Sequence, residues 1–159
     1  MTPILGGQRA IFDLMLQFFK NDSWNFQQIE GRPILTMGFK GDNGRWDCFA
    51  QAREEQKQFV FYSVLDARVP AEKRAAVAEF ICRANYGLIL GNFEMDFSDG
   101  EVRYKTSIDV KESEDKLTLG LLKRLVYVNV VMMDKYFPGF MGVIYAGLSP
   151  AEAIAKVES

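Results

Sequence analysis

One hairpin constrains this chain more than any other stretch. Between Leu88 and Val110 the sequence turns at Ser98-Asp99-Gly100-Glu101, and Asp-Gly is the dipeptide that accepts the two positive φ angles of a type I′ loop. With Asp99 and Gly100 as the loop, Phe97 faces Val102, Asp96 faces Arg103, Met95 faces Tyr104, Glu94 faces Lys105 and Phe93 faces Thr106. Apolar mostly meets apolar on one side, and carboxylate meets cation on the other. A slip of one residue destroys both sets, so one face belongs to a core and the other to water.

The same alternation sorts the rest of the chain. Gln8 to Lys20 reads as a helix, with Ile11, Leu14, Met15 and Phe18 as its stripe and Phe12, Leu16 and Phe19 widening it. Trp24, Phe26 and Ile29 alternate with polar residues, the pattern of a short edge strand. Pro33 to Lys40 is a strand, and an Asn43-Gly44 loop sets Lys40 against Asp47, Phe39 against Cys48, Met37 against Ala50, Leu35 against Ala52 and Phe49 over Gly38. A turn at Glu55-Gln56 then puts Phe59, Phe61 and Leu65 on the core face. Val60, Tyr62 and Val64 fall beside Phe49 on the outer face, more apolar surface than a water-facing sheet usually carries. That face calls for a cover: the chain's own helices or a second chain.

Val69-Pro70-Ala71-Glu72 opens a second helix with Val77, Phe80, Ile81 and Ala84 as its buried stripe and Gly87 at its C-cap. Leu117 to Phe137 is the third. Leu122, Leu125, Val126, Met133 and Tyr136 share one face around Asn129, whereas Val128 and Val131 lie on the far side. Pro138 stops or kinks this helix, and Gly139 to Gly147 reads as a loop or broken turn. Ser149-Pro150-Ala151-Glu152 is a capping box that starts a short last helix. The expected fold is α+β, in the order α-β-β-β-α-β-β-α, with an antiparallel sheet of about five strands and helices packed on it. Residues 1–159 form a single domain, with a core over 8–137 and a C-terminal helical tail over 138–159.

Composition narrows function by exclusion. The chain has no histidine, which removes the commonest general base and most zinc and iron sites. Cys48 and Cys82 stand in no metal-binding or redox spacing and read as reduced packing residues. A net charge of −2, without a basic run, argues against nucleic acid as a partner. No signal peptide is evident in Met1 to Gly7, and no apolar stretch is long enough to span a membrane, so the expected compartment is the cytoplasm. No cofactor and no metal are expected.

Glu94 and Asp96, two apart on one strand face, could serve acid–base chemistry, but their pairing with Lys105 and Arg103 keeps both ionised. Gly91 marks a close backbone approach, with Asn92 facing Ser107 and Gly91 facing Ile108 along the ladder. Asn129 needs hydrogen-bond partners if buried, and Ser63, Thr106 or a backbone carbonyl would supply them; a small ligand between the third helix and the sheet is the alternative.

Two stretches carry a family likeness. They are Val69-Pro70-Ala71-Glu72-Lys73-Arg74-Ala75-Ala76-Val77-Ala78-Glu79-Phe80-Ile81 with Arg83-Ala84-Asn85, and Gly91-Asn92-Phe93-Glu94-Met95-Asp96 running on to Asp99-Gly100-Glu101-Val102-Arg103-Tyr104. With the element order, they resemble the YbjN-domain family over roughly Gln8 to Phe137. The resemblance implies a type III secretion chaperone-like fold, frequent dimerisation and no catalytic residues. The resulting expectation is a non-enzymatic protein-binding or regulatory module, a homodimer with an unknown protein client. Its contact residues would be Phe49, Val60, Tyr62 and Val64 on the sheet and Val128 and Val131 on the helix. A ligand sensor at Asn129, Ser63 and Thr106 is the alternative, and a carboxylate- and tyrosine-based enzyme a weaker third.

Overall fold

Alternation along the strands decides the architecture. In the computed structural model, which describes residues 9–113 and 116–159, the strand Arg45–Arg53 buries every second residue and leaves the intervening ones half-buried or exposed. The elements are α1 (Ala10–Asn21), β1 (Phe26–Gln28), β2 (Ile34–Lys40), β3 (Arg45–Arg53), β4 (Gln58–Val64), α2 (Arg74–Asn85, preceded by a 3₁₀ turn at Ala71–Lys73), β5 (Asn92–Met95), β6 (Val102–Asp109), α3 (Leu119–Tyr145) and α4 (Pro150–Glu158). The strands form one antiparallel sheet of six in the order β1-β2-β3-β4-β6-β5. The sixth is the Phe26–Gln28 edge strand. The helix start expected at Gln8 lies outside the described residues.

The helices pack on one face of this sheet. Phe19 of α1 stacks on Phe61, Phe137 of α3 on Trp46, and Phe140 meets Phe93 edge-on, all among inner-face residues. Glu54, in the β3–β4 turn, accepts the Ile11 and Phe12 amides at 3.1 and 2.9 Å and so caps α1 from across the fold. Ser149 and Glu152 form the expected reciprocal capping box. Cys48 is buried beneath the helices, but Cys82 is exposed on α2 and is no packing residue.

Two registers differ from expectation by two residues, which preserves which side chain faces which way. In the β5–β6 hairpin Met95 faces Val102, Glu94 faces Arg103, Phe93 faces Tyr104 and Asn92 faces Lys105. The loop is longer than a two-residue turn: Asp96 N–H donates to Glu101 O and Gly100 N–H to Asp96 O. Gly100 alone carries the positive φ, at 79°. A Cβ there would lie 2.2 Å from Val69 O, and Val69 N–H donates to Gly100 O, so the turn is shaped by docking on the chain ahead of α2. Gly91 does mark a close backbone approach, where a Cβ would meet Lys105 O at 2.7 Å. In the β2–β3 hairpin Lys40 faces Arg45, Met37 faces Cys48 and Leu35 faces Ala50; Gly38 lies opposite Asp47, and Phe49 opposite Thr36. The β3–β4 register is as expected, with Phe49 beside Tyr62, and Lys57 supplies the positive φ.

The larger correction is in α3, which does not end at Pro138 but runs on to Tyr145. Proline has no N–H for the carbonyl four residues back, that of Asp134. Asn43, from the β2–β3 turn, donates its side-chain amide to that carbonyl at 3.1 Å and its backbone N–H to Asp134 Oδ1 at 2.8 Å. Past the proline, Gly139 and Gly142 serve as contact surface rather than as breakers. A Cβ on Gly139 would lie 2.4 Å from Phe80, and one on Gly142 2.7 Å from Leu148. Despite its length, no helix among the described residues is apolar enough over a sufficient span to cross a membrane.

At the β5 edge, Asn85 closes α2 with a second task. Its side chain accepts Phe93 N–H at 2.8 Å and donates to Phe93 O at 3.0 Å, taking up the two backbone groups that Phe93 points away from β6.

Candidate functional site

The open face of the sheet is where four of the six expected contact residues fall, Phe49, Val60, Tyr62 and Val64. Across it, the registers set Thr36, Phe49, Tyr62, Lys105 and Asn92 in one row, and Gly38, Asp47, Val64, Arg103 and Glu94 in the next. Val60 is buried among its neighbours on this face, while Phe49, Tyr62 and Val64 are half-buried. Arg103 lays its guanidinium 4.2 Å from the centre of the Tyr62 ring. Beside Phe49, the missing side chain of Gly38 opens a groove of about 420 Å³ rimmed by Asn25, Gln27, Thr36 and Asp47.

Val128 and Val131 are not part of that patch. Asn129 points from α3 into the sheet, and a residue two further on lies nearly opposite it on a helix. Val131 is accordingly 55% exposed on the solvent side of α3, with Val128 half-buried on its flank. The six residues therefore form two surfaces on opposite sides of the molecule. A third exposed apolar spot, on the α2–β5 loop, had no periodic signal to announce it: Tyr86 and Ile89 are 90% and 91% exposed.

Asn129 is fully buried. Its amide donates to Phe61 O at 2.9 Å and to Tyr104 O and Thr106 Oγ1 at 3.1 Å each, and the Thr106 hydroxyl donates onward to Leu125 O. Ser63 does not join it; its hydroxyl lies 3.6 Å from Cys48 Sγ. Asn129 Oδ1 has no protein partner. Surface grooves at Gly38, beneath the 96–101 turn and at Val60 are not lined by Asn129.

The two carboxylates of the hairpin are held ionised. Glu94 accepts from Arg103 at 2.5 Å and from Lys105 at 3.2 Å. Its partial burial favours the neutral acid, but these bonds outweigh that and keep its pKa below the ordinary value. Asp96 does not reach Arg103 as a cross-strand partner. It accepts the Ser98 hydroxyl and N–H, at 2.6 and 2.8 Å, and these bonds lower its pKa. Neither is tuned as a proton donor near neutrality. Burial pushes the Cys48 thiol up to about 12, far from nucleophilic use. Among the described residues no cluster has the make-up of a metal site.

A six-stranded antiparallel sheet with helices on one face and an apolar, partly aromatic strip on the other defines the class: an α+β fold of a single helix layer on an antiparallel sheet. Residues 12–141 match the YbjN family, described as "Putative bacterial sensory transduction regulator", and the chain belongs to that family. Among solved structures it is similar to YbjN from E. coli, with a TM-score of 0.58 at 12% identity, covering 84% of this chain and 87% of that one. It is also similar, with TM-scores of 0.48, to a chain of the HopA1–SchA chaperone–effector complex (16% identity, 77% and 91% covered) and to one of the ExsC–ExsE complex (12% identity, 76% and 85% covered). No curated protein matches the chain.

Proposed function

We propose that this protein is a non-enzymatic regulatory module of the cytoplasm that binds protein through the open face of its sheet, and that it does so as a homodimer. The observation that carries this reading is the adjacency of Phe49 and Tyr62 on a face against which α1 and α3 do not pack. Flanked by Val60 and Val64, they form an aromatic-centred strip ringed by polar groups, the composition of a protein contact. The exposed side of α3, with Val128 and Val131, would be a second contact surface for a client. The family description, a regulator of signalling, agrees with a protein that acts through contacts.

Sedimentation of the wild type against concentration tests this. A dimer that weakens on Phe49→Ser or Tyr62→Ser, with the melting temperature held, supports the reading. A strict monomer at high concentration removes the homodimer. A second reading, a small-ligand sensor, draws on the unpartnered Asn129 Oδ1. A metabolite that raises the melting temperature of the wild type but not of Asn129→Leu would favour it.

A further inference from the structure

Charge is laid out unevenly on the open face. At one end of the strands, β2 and β3 carry Lys40 and Arg45 opposite one another. At the same end β4 and β6 are followed and preceded by acids. Asp66 comes one residue past Leu65, whose N–H still donates to Val102 O, and Glu101 immediately precedes β6. Arg45 and Asp66 are both exposed. The side chains of Lys40, Arg45 and Asp66 make no hydrogen bond or ion pair among the described residues. At this end the β2–β3 half thus carries two cations and the end of β4 the unpaired Asp66, while Glu101 is already bridged by Arg68 at 3.1 Å. The complementary pair is Arg45 with Asp66, and Phe49 and Tyr62 meet on the line between the halves.

From this pattern we infer that a second copy of the chain docks face to face on the open sheet, about a two-fold axis running along the strands between β3 and β4. The inference rests on the homodimer proposed above and adds its geometry. Rotation about that axis keeps each residue's position along the strand and exchanges β3 with β4 and β2 with β6. Arg45 then meets Asp66 of the second copy, Lys40 meets its Glu101, and Phe49 lies on its Tyr62. Gly38, the gap in its row, receives the second copy's Arg103 next to Asp47. Arg45, whose guanidinium now reaches 3.7 Å from where a Gly38 Cβ would stand, is drawn onto the facing Asp66 and clears that notch. The other in-plane axis, across the strands through Phe49, sets Arg45 against Arg53, a like-charge contact. Aligned sheet packing leaves the central strands in closest contact, which is where these residues lie.

A charge swap tests the geometry. In Arg45→Glu two carboxylates face each other at both symmetry-related contacts, which lie side by side across the axis at one end of the strands, and in Asp66→Arg two cations do. Each variant alone should dimerise at least about tenfold more weakly than wild type, equivalent to about 1.4 kcal/mol. An equimolar mixture of the two restores both contacts, so a heterodimer should form at near wild-type affinity, read by native mass spectrometry with one chain carrying a mass tag. Unchanged melting temperatures verify that both variants fold. A dimeric wild type whose variants associate normally, or fail to pair with each other, overturns this axis and leaves the homodimer standing. A monomeric wild type overturns both.

Discussion

A buried amide and a buried thiol show how single residues are constrained. Asn129 holds two sheet carbonyls and the Thr106 hydroxyl; replacing it by Ala strips those partners and leaves a void, and should cost roughly 2–3 kcal/mol in denaturant unfolding. Cys48 is buried with its thiol pKa pushed up, whereas Cys82 is exposed. A thiol reagent should therefore modify one sulfur per native chain and a second only in denaturant. Asn129 was legible because a lone amide in an apolar stripe must be satisfied. Which hydroxyl satisfies it was not, since Ser63 and Thr106 both lie on the inner face and only the seating of α3 on the sheet selects Thr106. Cys82 departs from the packing expectation because it lies on the outer side of α2, off the stripe of Val77, Phe80, Ile81 and Ala84.

At the level of elements, sequence patterning placed the helices and strands but not the geometry of two turns. Their two-residue shifts are invisible to face-pattern arguments, because parity is kept. What set the β5–β6 turn is the docking of Gly100 on Val69. Gly100→Ala puts a Cβ into that carbonyl at a positive φ, and should destabilise by roughly 2–3 kcal/mol, measured by chemical denaturation. The continuation of α3 through Pro138 was equally hidden, since the group that makes it tolerable, Asn43, is 91 residues distant from Asp134. Asn43→Ala should cost about 1–2 kcal/mol by uncovering the Asp134 carbonyl. In Asn43→Ala/Pro138→Ala, where the helix regains its own hydrogen bond, much of that loss should be recovered. Glu54→Ala should cost about 1 kcal/mol through the lost cap on α1.

For the whole molecule, protonation sets the range of stability. Glu94, Asp96, Asp109 and Glu152 all have pKa values lowered in the fold. Their contribution is present above the unfolded carboxylate value of about 4 and is lost as pH falls through the lowered folded values. Tyr104 runs the other way: burial raises its pKa to about 12. Its contribution is complete below the unfolded value of about 10 and disappears as pH rises through the folded one. The urea midpoint should stay level from about pH 5 to 9 and drop on either side. Tyrosine absorbance should show Tyr104 ionising late, together with unfolding. The overall class was readable from alternation alone; how the two apolar surfaces are disposed was not, because Val131 and Tyr62 are brought to opposite sides only when α3 seats its Asn129 face on the sheet.

Asn85 has a consequence for how copies of this chain can join. By engaging the outward amide and carbonyl of Phe93, it works as a stopper in the rim of the sheet, where an incoming strand would otherwise hydrogen-bond. At the opposite rim β1 offers just three residues. Neither margin invites endless ribbon growth, so assembly is steered toward a closed, countable complex instead of a fibril.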